Sequence, residues 1–415
     1  MKQHKVVFIH PDLGIGGAER WVVDAAMAVL QKGYDVKIYT ASWDPNRCFP
    51  ETKDGTLKIV KPPFMGIPRT IFGKFQAICA LVRCFLLTIY MLFVEQTPDV
   101  VIVDAVSSPL VLLSWFGIPS LFYCHFPDLL LAKRENRSYV YYCYRRWMDK
   151  LEEYTLSLAK RIVVNSHFTA QVFQNTFPEL AKKSTISVLY PSIAMKTHDI
   201  VQLDNLPSKT IISLNRYETK KHVDLLIHAV AYMRDAQWLT KDQWADLLVV
   251  IAGGYDTRVH ENVACLHNLQ SLVQQLDLTN KVDFLLNISD EERQSLLSSC
   301  KVVVYTPIDE HFGIVPLEAM AMKKPVVAHN SGGPKETIVD GETGLLCQDS
   351  PEDFARAIVK LLLDEKWAQK MGEEGFLRVK QRFSREALAH QLDDILSELK
   401  TSKDTIDVDK KSKTQ

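Results

Sequence analysis

The feature that most constrains this chain is an alternation that occurs twice. Short, continuous, β-branched runs alternate with helical stretches through one half, and the pattern then restarts in the other. In the first half Lys5–His10, Asp35–Thr40, Asp99–Asp104, Ser120–His125, Arg161–Asn165 and Ile186–Tyr190 are apolar without period-two alternation, as strands buried on both faces are. An amphipathic helix from about Ala18 to Lys32 separates the first two and is closed by Gly33, a common helix stop. Repeated βα units imply a doubly wound parallel sheet with right-handed crossovers. Pro191–Ser208 has little periodicity, and the pattern returns with Thr210–Asn215, Leu247–Ala252, Lys281–Ile288, Lys301–Pro307 and Pro325–Asn330. The expected fold is α/β: two doubly wound, Rossmann-like domains facing across a cleft, with ligands at the carboxyl ends of the strands. The expected boundaries are a first domain over 1–192, a linker over 193–208 and a second domain over 209–383. A helix over 384–400 would return to the first domain, ahead of a disordered tail over 401–415.

Composition excludes some partners. Lys and Arg number 49 against 50 Asp and Glu, a net charge of −1, without the basicity a nucleic-acid binder shows. The eight cysteines include no C-x-x-C pair, so reduced thiols are expected rather than a zinc site or disulfide scaffold. Met1–Pro11 has too short an apolar run for a secretory leader. The sequons at Asn136 and Asn287 are accordingly expected to be unmodified.

Ala77–Val94 is the segment nearest to a membrane span. Its Leu, Ile, Val and Phe residues contribute roughly −3 to −6 kcal/mol to insertion, and Arg83 near its middle costs about 2.5–3.5 kcal/mol. A single span would put the strands before and after it on opposite sides of a bilayer, although both belong to one sheet pattern. A buried core helix and a helix lying in the interface, with Leu86, Ile89 and Phe93 toward lipid, are the remaining readings. Lys133–Trp147 interleaves Arg134, Arg137, Arg145 and Arg146 with tyrosines and a tryptophan, a composition suited to headgroups. An ordinary helix with a solvated face fits it equally well. RNA binding is a third reading that the rest of the chain does not support.

Four stretches could carry chemistry. Gly14, Gly16 and Gly17 follow the first strand and could bring backbone N–H groups to a ligand at a helix start, or form only a tight turn. They do not complete a dinucleotide fingerprint, and no acid ends the second strand. His125 stands just past a strand end. Arg216 and Lys221 flank the turn after the second domain's first strand, where two cations could clamp a diphosphate or simply face solvent. Thr306–Met322 leaves a strand, turns at Gly313 and starts a helix near Pro316. Glu310 and Glu318 bracket that turn and could accept hydrogen bonds from sugar hydroxyls. A glycosidase would need its two carboxyls about 5–10 Å apart across one bond, which an acid before a helix and one inside it do not suit. The D-x-D at Asp407–Asp409 lies in the tail with no strand before it and is not read as a metal site.

Glu310-x7-Glu318 with Phe312-Gly313 between, the Arg216…Lys221 pair and the Gly14–Gly17 loop together resemble the retaining GT-B glycosyltransferases that use nucleotide sugars. The stretches HPDLGIGGAER, FYCHFPDLLL, NRYETKKH and EHFGIVPLEAM closely resemble the α-1,3/α-1,6-mannosyltransferases of dolichol-linked oligosaccharide assembly, over nearly the whole chain. The resemblance implies an acceptor-side first domain and a nucleotide-sugar-binding second domain. It implies GDP-mannose as donor and a dolichyl-diphosphate-linked acceptor, with two mannoses added at the cytosolic face of the endoplasmic reticulum by a peripheral or monotopic protein, alongside other enzymes of the pathway. Carried over, Arg216 and Lys221 would neutralise the diphosphate, Glu318 would bind the ribose and Glu310 the mannose. Phe312, Gly313 and Ile314 would line the donor, His125 would contact the reacting mannose, and Gly16 and Gly17 would sit by the diphosphate and the acceptor. No metal or other cofactor is implied. A nucleotide-sugar epimerase, an NAD-dependent dehydrogenase and an inactive membrane scaffold are the competing readings.

Overall fold

The structure, a computed structural model, describes residues 3–63, 66–71, 75–95, 97–132, 138–193, 195 and 206–412, excepting the side chains of 402–412. The chain divides into two compact units, Met1–Ser192 with Arg385–Gln415, and Ile193–Ser384.

The first unit is built on β1 (Lys5–Leu13), β2 (Asp35–Trp43), β3 (Lys58–Val60), β4 (Val100–Asp104), β5 (Ser120–Cys124), β6 (Arg161–Val164) and β7 (Ile186–Val188), in the order β3-β2-β1-β4-β5-β6-β7. The pairings are parallel. Strand order reverses between β1 and β4, so the loop after β1 and the end of β4 lie side by side, where doubly wound sheets bind ligands. One face is covered by the helix Gly17–Gln31 and by Leu388, Leu392, Leu396 and Leu399 of the helix Arg385–Ser412. Arg385 also pairs with the buried Asp24 at 2.8 Å. Each such fully buried leucine is worth about 1.5–3 kcal/mol, enough to fasten the end of the chain to this sheet.

The second unit holds β8 (Lys209–Leu214), β9 (Leu247–Gly253), β10 (Val282–Leu286), β11 (Val302–Tyr305), β12 (Val326–His329) and β13 (Leu345–Cys347), in the order β10-β9-β8-β11-β12-β13. All are parallel. Here the order reverses between β8 and β11, which brings the turns bearing Lys221 and Glu310 together.

Several expectations are corrected. β3 and β13 add an edge strand to each sheet; each has only three residues, too few to show a pattern. The final helix continues to Ser412, beyond the boundary expected at Lys400. The helix expected near Pro316 starts at Ile314, with Gly313 as its cap at φ 78°, so Pro316 is its third residue. Asn287 donates to the Tyr255 carbonyl at 2.8 Å and accepts from the Tyr255 N–H at 2.8 Å, so its side chain is spent on a turn. Asn136 lies outside the described residues.

The apolar helix Gln76–Val94 is a crossover against the first sheet. Cys79, Arg83, Cys84, Leu87, Thr88 and Met91 are buried, and the strands on either side of it, β3 and β4, lie in one sheet. Arg83, priced above as an insertion cost, instead donates to Asp12 at 3.0 Å from a position 4% exposed. The opposite face remains uncovered: Leu86 is 37% and Phe93 87% exposed, with Ile89 half-buried between them. Arg145 is also corrected. It is buried and paired with Asp128 at 2.9 Å and Asp149 at 3.3 Å, so it cannot meet headgroups, whereas Arg146 is exposed. Arg134 and Arg137 lie outside the described residues.

Candidate functional site

In the second unit, β8 runs out into Arg216 and a single 3-10 turn, Thr219–Lys221, stopped by His222 at φ 50°. The Lys221 ammonium forms an ion pair with the Glu310 carboxylate from the loop after β11, and Thr306 donates to the Lys221 carbonyl at 2.8 Å. Burial would raise the Glu310 carboxyl, but the Lys221 charge overcomes it and keeps Glu310 ionised. Arg216 differs from Lys221. Its side chain is 65% exposed and rests on Glu218 at 3.1 Å, a carboxylate shared with Lys220. The structure thus places the two expected clamp residues on one turn, one paired and shielded and the other extended toward solvent.

Glu318 lies inside the helix Ile314–Ala321 and forms an ion pair with Arg293 of the helix Asp290–Ser299. Burial lifts its carboxyl to about 7, and Arg293 offsets only part of that rise. The two glutamates therefore differ in charge as well as position: Glu310 is a fixed anion, and Glu318 is poised to accept or lose a proton near neutrality. Between them, Gly313 adopts the left-handed conformation that non-glycine residues avoid. It leads into a helix start whose Ile314 and Val315 N–H groups have no partner within the helix.

A loop without an assigned role shapes this turn. Gly333 N–H donates to the Glu310 carbonyl at 2.7 Å, and Asp309 N–H donates to Ser331 Oγ at 2.8 Å. Gly332 has φ 56°, and a Cβ there would strike the Glu310 backbone; one at Gly333 would strike Phe312. His329 Nδ1 lies 2.9 Å from the same Ser331 hydroxyl. Ser331-Gly332-Gly333 is thus the mould for Glu310. Its legible sign in the sequence is a Ser-Gly-Gly run directly after a buried strand.

In the first unit, Gly16 caps the helix Gly17–Gln31, with the Glu19 carboxylate packed over it. His125, just beyond β5, sets Nε2 2.8 Å from Asp104 Oδ1 at the end of β4. The ring N–H is not aimed squarely at that oxygen, so the contact is mainly one of charge. His10 of β1 closes on the other carboxylate oxygen at 2.7 Å. Burial would raise Asp104, yet the two histidines bring it down to about 2. Burial would lower His125, and the Asp104 charge turns that into a rise. Tyr123 and Trp21 set their rings edge-on to the imidazole, with centroids 4.9 and 5.9 Å away. The next residue, Ala105, has φ 63°, a strained conformation of the kind found at functional sites. Asp104 and His10 carry no motif; their only sign is a polar residue closing an apolar run within a strand. Among the described residues, no group of three or more His, Cys, Asp or Glu is placed to hold a metal ion.

Comparison with known proteins agrees with this architecture. The family model for Glycosyltransferase Family 4 matches residues 15–195, and that for Glycosyl transferases group 1 matches residues 196–378. Alpha-1,3/1,6-mannosyltransferase ALG2 of Homo sapiens is 45% identical over 399 residues, covering 93% of this chain and 94% of its own length. The protein of the same name from Rhizomucor pusillus is 40% identical over 429 residues, covering 97% of this chain and 93% of its own. Among solved structures, sucrose-phosphate synthase from Thermosynechococcus elongatus superposes with a TM-score of 0.73 at 21% identity, covering 96% of this chain and all of the other. That last likeness speaks to fold.

Proposed function

We propose, from the premise that this chain belongs to the alpha-1,3/1,6-mannosyltransferase family of GT-B glycosyltransferases, that it transfers mannose from GDP-mannose to a dolichyl-diphosphate-linked Man-GlcNAc2 acceptor. It forms α-1,3 and α-1,6 bonds in turn, as a step of N-glycan precursor synthesis. The observation that carries the reading is the contrast between the two glutamates. Ionised Glu310, held by Lys221, suits hydroxyls of the reacting sugar, and Glu318, near neutrality, suits a ribose diol.

An α-linked donor giving an α-linked product retains configuration. In a same-face route the bond from C1 to the diphosphate oxygen breaks as the acceptor oxygen bonds C1, and the acceptor proton passes to the departing oxygen. The protein's share is positioning and charge stabilisation. Lys221 and Arg216 stabilise the leaving diphosphate without a metal ion. The N–H groups of Gly313 and Ile314 approach its oxygens or the sugar, and Phe312 fixes their loop. His125, held by Asp104, meets the reacting mannose, and Gly16 and Gly17 border the acceptor. The uncovered face of the helix Gln76–Val94, with Leu86 and Phe93 outward, rests on the cytosolic surface of the endoplasmic reticulum membrane. Incubation with GDP-mannose and a phytanyl-diphosphate Man-GlcNAc2 acceptor tests the reading. Two added mannoses in α-1,3 and α-1,6 linkage support it; an altered sugar nucleotide with no transfer would replace it with an epimerase.

A further inference from the structure

Arg293 stands behind the glutamate assigned to the ribose, and the reaction above gives it no part. It belongs to the helix Asp290–Ser299, whose start is fixed by a reciprocal cap. Ser289 N–H donates to the Glu292 carboxylate at 2.7 Å, and Glu292 N–H donates to Ser289 Oγ at 3.1 Å. Arg293 is the next residue, so its backbone is held by that cap. Asp290 lies three residues before it on the same helix, an ordinary spacing for a local ion pair. Among the described residues Arg293 does not take that partner. It reaches across to the helix Ile314–Ala321 and meets Glu318 through Nη2 and Oε2.

The receiving helix shows what the contact is for. Val315, Pro316, Leu317, Ala319 and Met320 around Glu318 are buried, so a carboxylate there is costly unless a partner answers it. Such a pair is a weak folding device, because packed apolar residues often stabilise as well or better. What it provides is an acceptor. The Glu318 side chain is 23% exposed, and a carboxylate has about four acceptor sites on its two oxygens, so Oε1 is left to a ligand's hydroxyls. Burial raises this carboxyl, and Arg293 opposes the rise. The other groups facing it do not help: Asp290 is a like charge, and Tyr305 at the end of β11 is a neutral phenol beside Glu310.

We propose that Arg293 is a positioning residue for the sugar nucleotide: it holds the Glu318 carboxylate by one oxygen and leaves the other to accept the ribose diol. Arg293 acts through Glu318 and needs no contact of its own with the nucleotide. The inference rests on the ribose role proposed for Glu318. Without Arg293 the carboxyl protonates more readily, and the protonated form has fewer acceptor sites for hydroxyls. The loss is therefore selective. Recognition of the diol falls, while contacts to the diphosphate and the base persist.

Calorimetric titration of the full chain with GDP and with 2′-deoxy-GDP, at about pH 6, 7 and 8.5, is the test. The unaltered protein should prefer GDP by about tenfold or more at the alkaline end and only slightly at the acid end. Arg293→Met keeps an extended side chain and removes its charge. It should lose the preference near neutrality and regain it in alkali, with the midpoint moved up by about one pH unit. That recovery also shows the variant to be folded. Arg293→Lys should keep the midpoint close to that of the unaltered protein. Added to Glu318→Gln, Arg293→Met should leave an already flat profile flat. If Arg293→Met weakens both nucleotides by one factor at every pH, or acts as strongly beside Glu318→Gln, the arginine serves the phosphates or the fold and the inference is overturned. An unaltered protein that binds no GDP, or binds both nucleotides equally at every pH, would refute the ribose reading and this inference with it. A diol preference indifferent to Arg293 would overturn this inference alone.

Discussion

At the scale of single residues, the clamp assigned to Arg216 and Lys221 is unequal. Lys221 is shielded and paired, so Lys221→Ala strands the partly buried Glu310 carboxylate as well as removing the proposed diphosphate contact. Arg216 is 65% exposed on a surface pair, a kind of pair worth about 0–1 kcal/mol to folding. Both substitutions should lower kcat/KM at least tenfold, since each removes a charge-assisted contact of about 1.5–3 kcal/mol. Only Lys221→Ala should lower the melting temperature, by several degrees. Steady-state kinetics beside thermal melts check this, and equal melting temperatures for the two variants would contradict the pairing seen here.

Glu318 gives a pH prediction with a definite sign. Its carboxyl is raised by burial to about 7 in the folded protein, so its protonated form adds to stability below the ordinary carboxylate range. That contribution is lost as pH rises through about 7. In the proposed role, ribose hydroxyls would donate to the ionised form, so GDP-mannose should bind more tightly as pH rises through about 7. Glu318→Gln should flatten that dependence. Calorimetric titration at about pH 6 and about pH 8 is the check, and a steeper dependence in the variant would rule out Glu318 as the titrating group. Glu310, Arg216 and Lys221 were legible because they sit in turns whose residues have no packing reason to be charged, and Glu318 because an acid interrupts an otherwise apolar helix. Asp104, His10 and Arg293 were not legible. Each acts through a partner distant in sequence, as Arg293 does on Glu318 and His10 on Asp104, and spacing along the chain cannot reveal such pairs.

At the scale of elements, the strands announced themselves because parallel strands buried on both faces leave unbroken β-branched runs. The helix Gln76–Val94 did not declare its setting. Composition gives its apolar content, but only the fold shows that Arg83 turns inward to Asp12 and that one stripe is left over. The two faces of this helix respond differently to substitution. Phe93→Ser changes a residue 87% exposed, so it should weaken binding to anionic vesicles without altering the melting temperature. Arg83→Leu removes the charge that answers Asp12 and should destabilise the first unit by about 1–3 kcal/mol. Vesicle sedimentation and denaturant unfolding read the two effects. A Phe93→Ser protein that sediments as fully as the original would leave the stripe without its assigned role. The Ser331-Gly332-Gly333 loop shows the opposite limit. Its glycines are plain in the sequence, yet their reason, close approach to Glu310 and Phe312, exists only once β11 and β12 are neighbours.

At the scale of the whole molecule, each unit is a doubly wound sheet with its candidate site residues at the point where strand order reverses. In the first, His10, Asp104 and His125 gather at the ends of β1, β4 and β5. In the second, Lys221 and Glu310 meet beyond β8 and β11. The division of labour proposed for them, acceptor in one and sugar nucleotide in the other, makes catalysis a matter of held charge and position rather than a covalent intermediate on a protein carboxylate. That claim requires the new bond to keep the donor's configuration, without a divalent ion. The most direct measurement is transfer from GDP-mannose carrying 13C at C1, in the presence of chelator, with the anomeric signal of the product read by NMR. α-Linked mannose is expected, at a rate close to that without chelator. A β-linked product, or transfer that returns only when manganese or magnesium is restored, would contradict it.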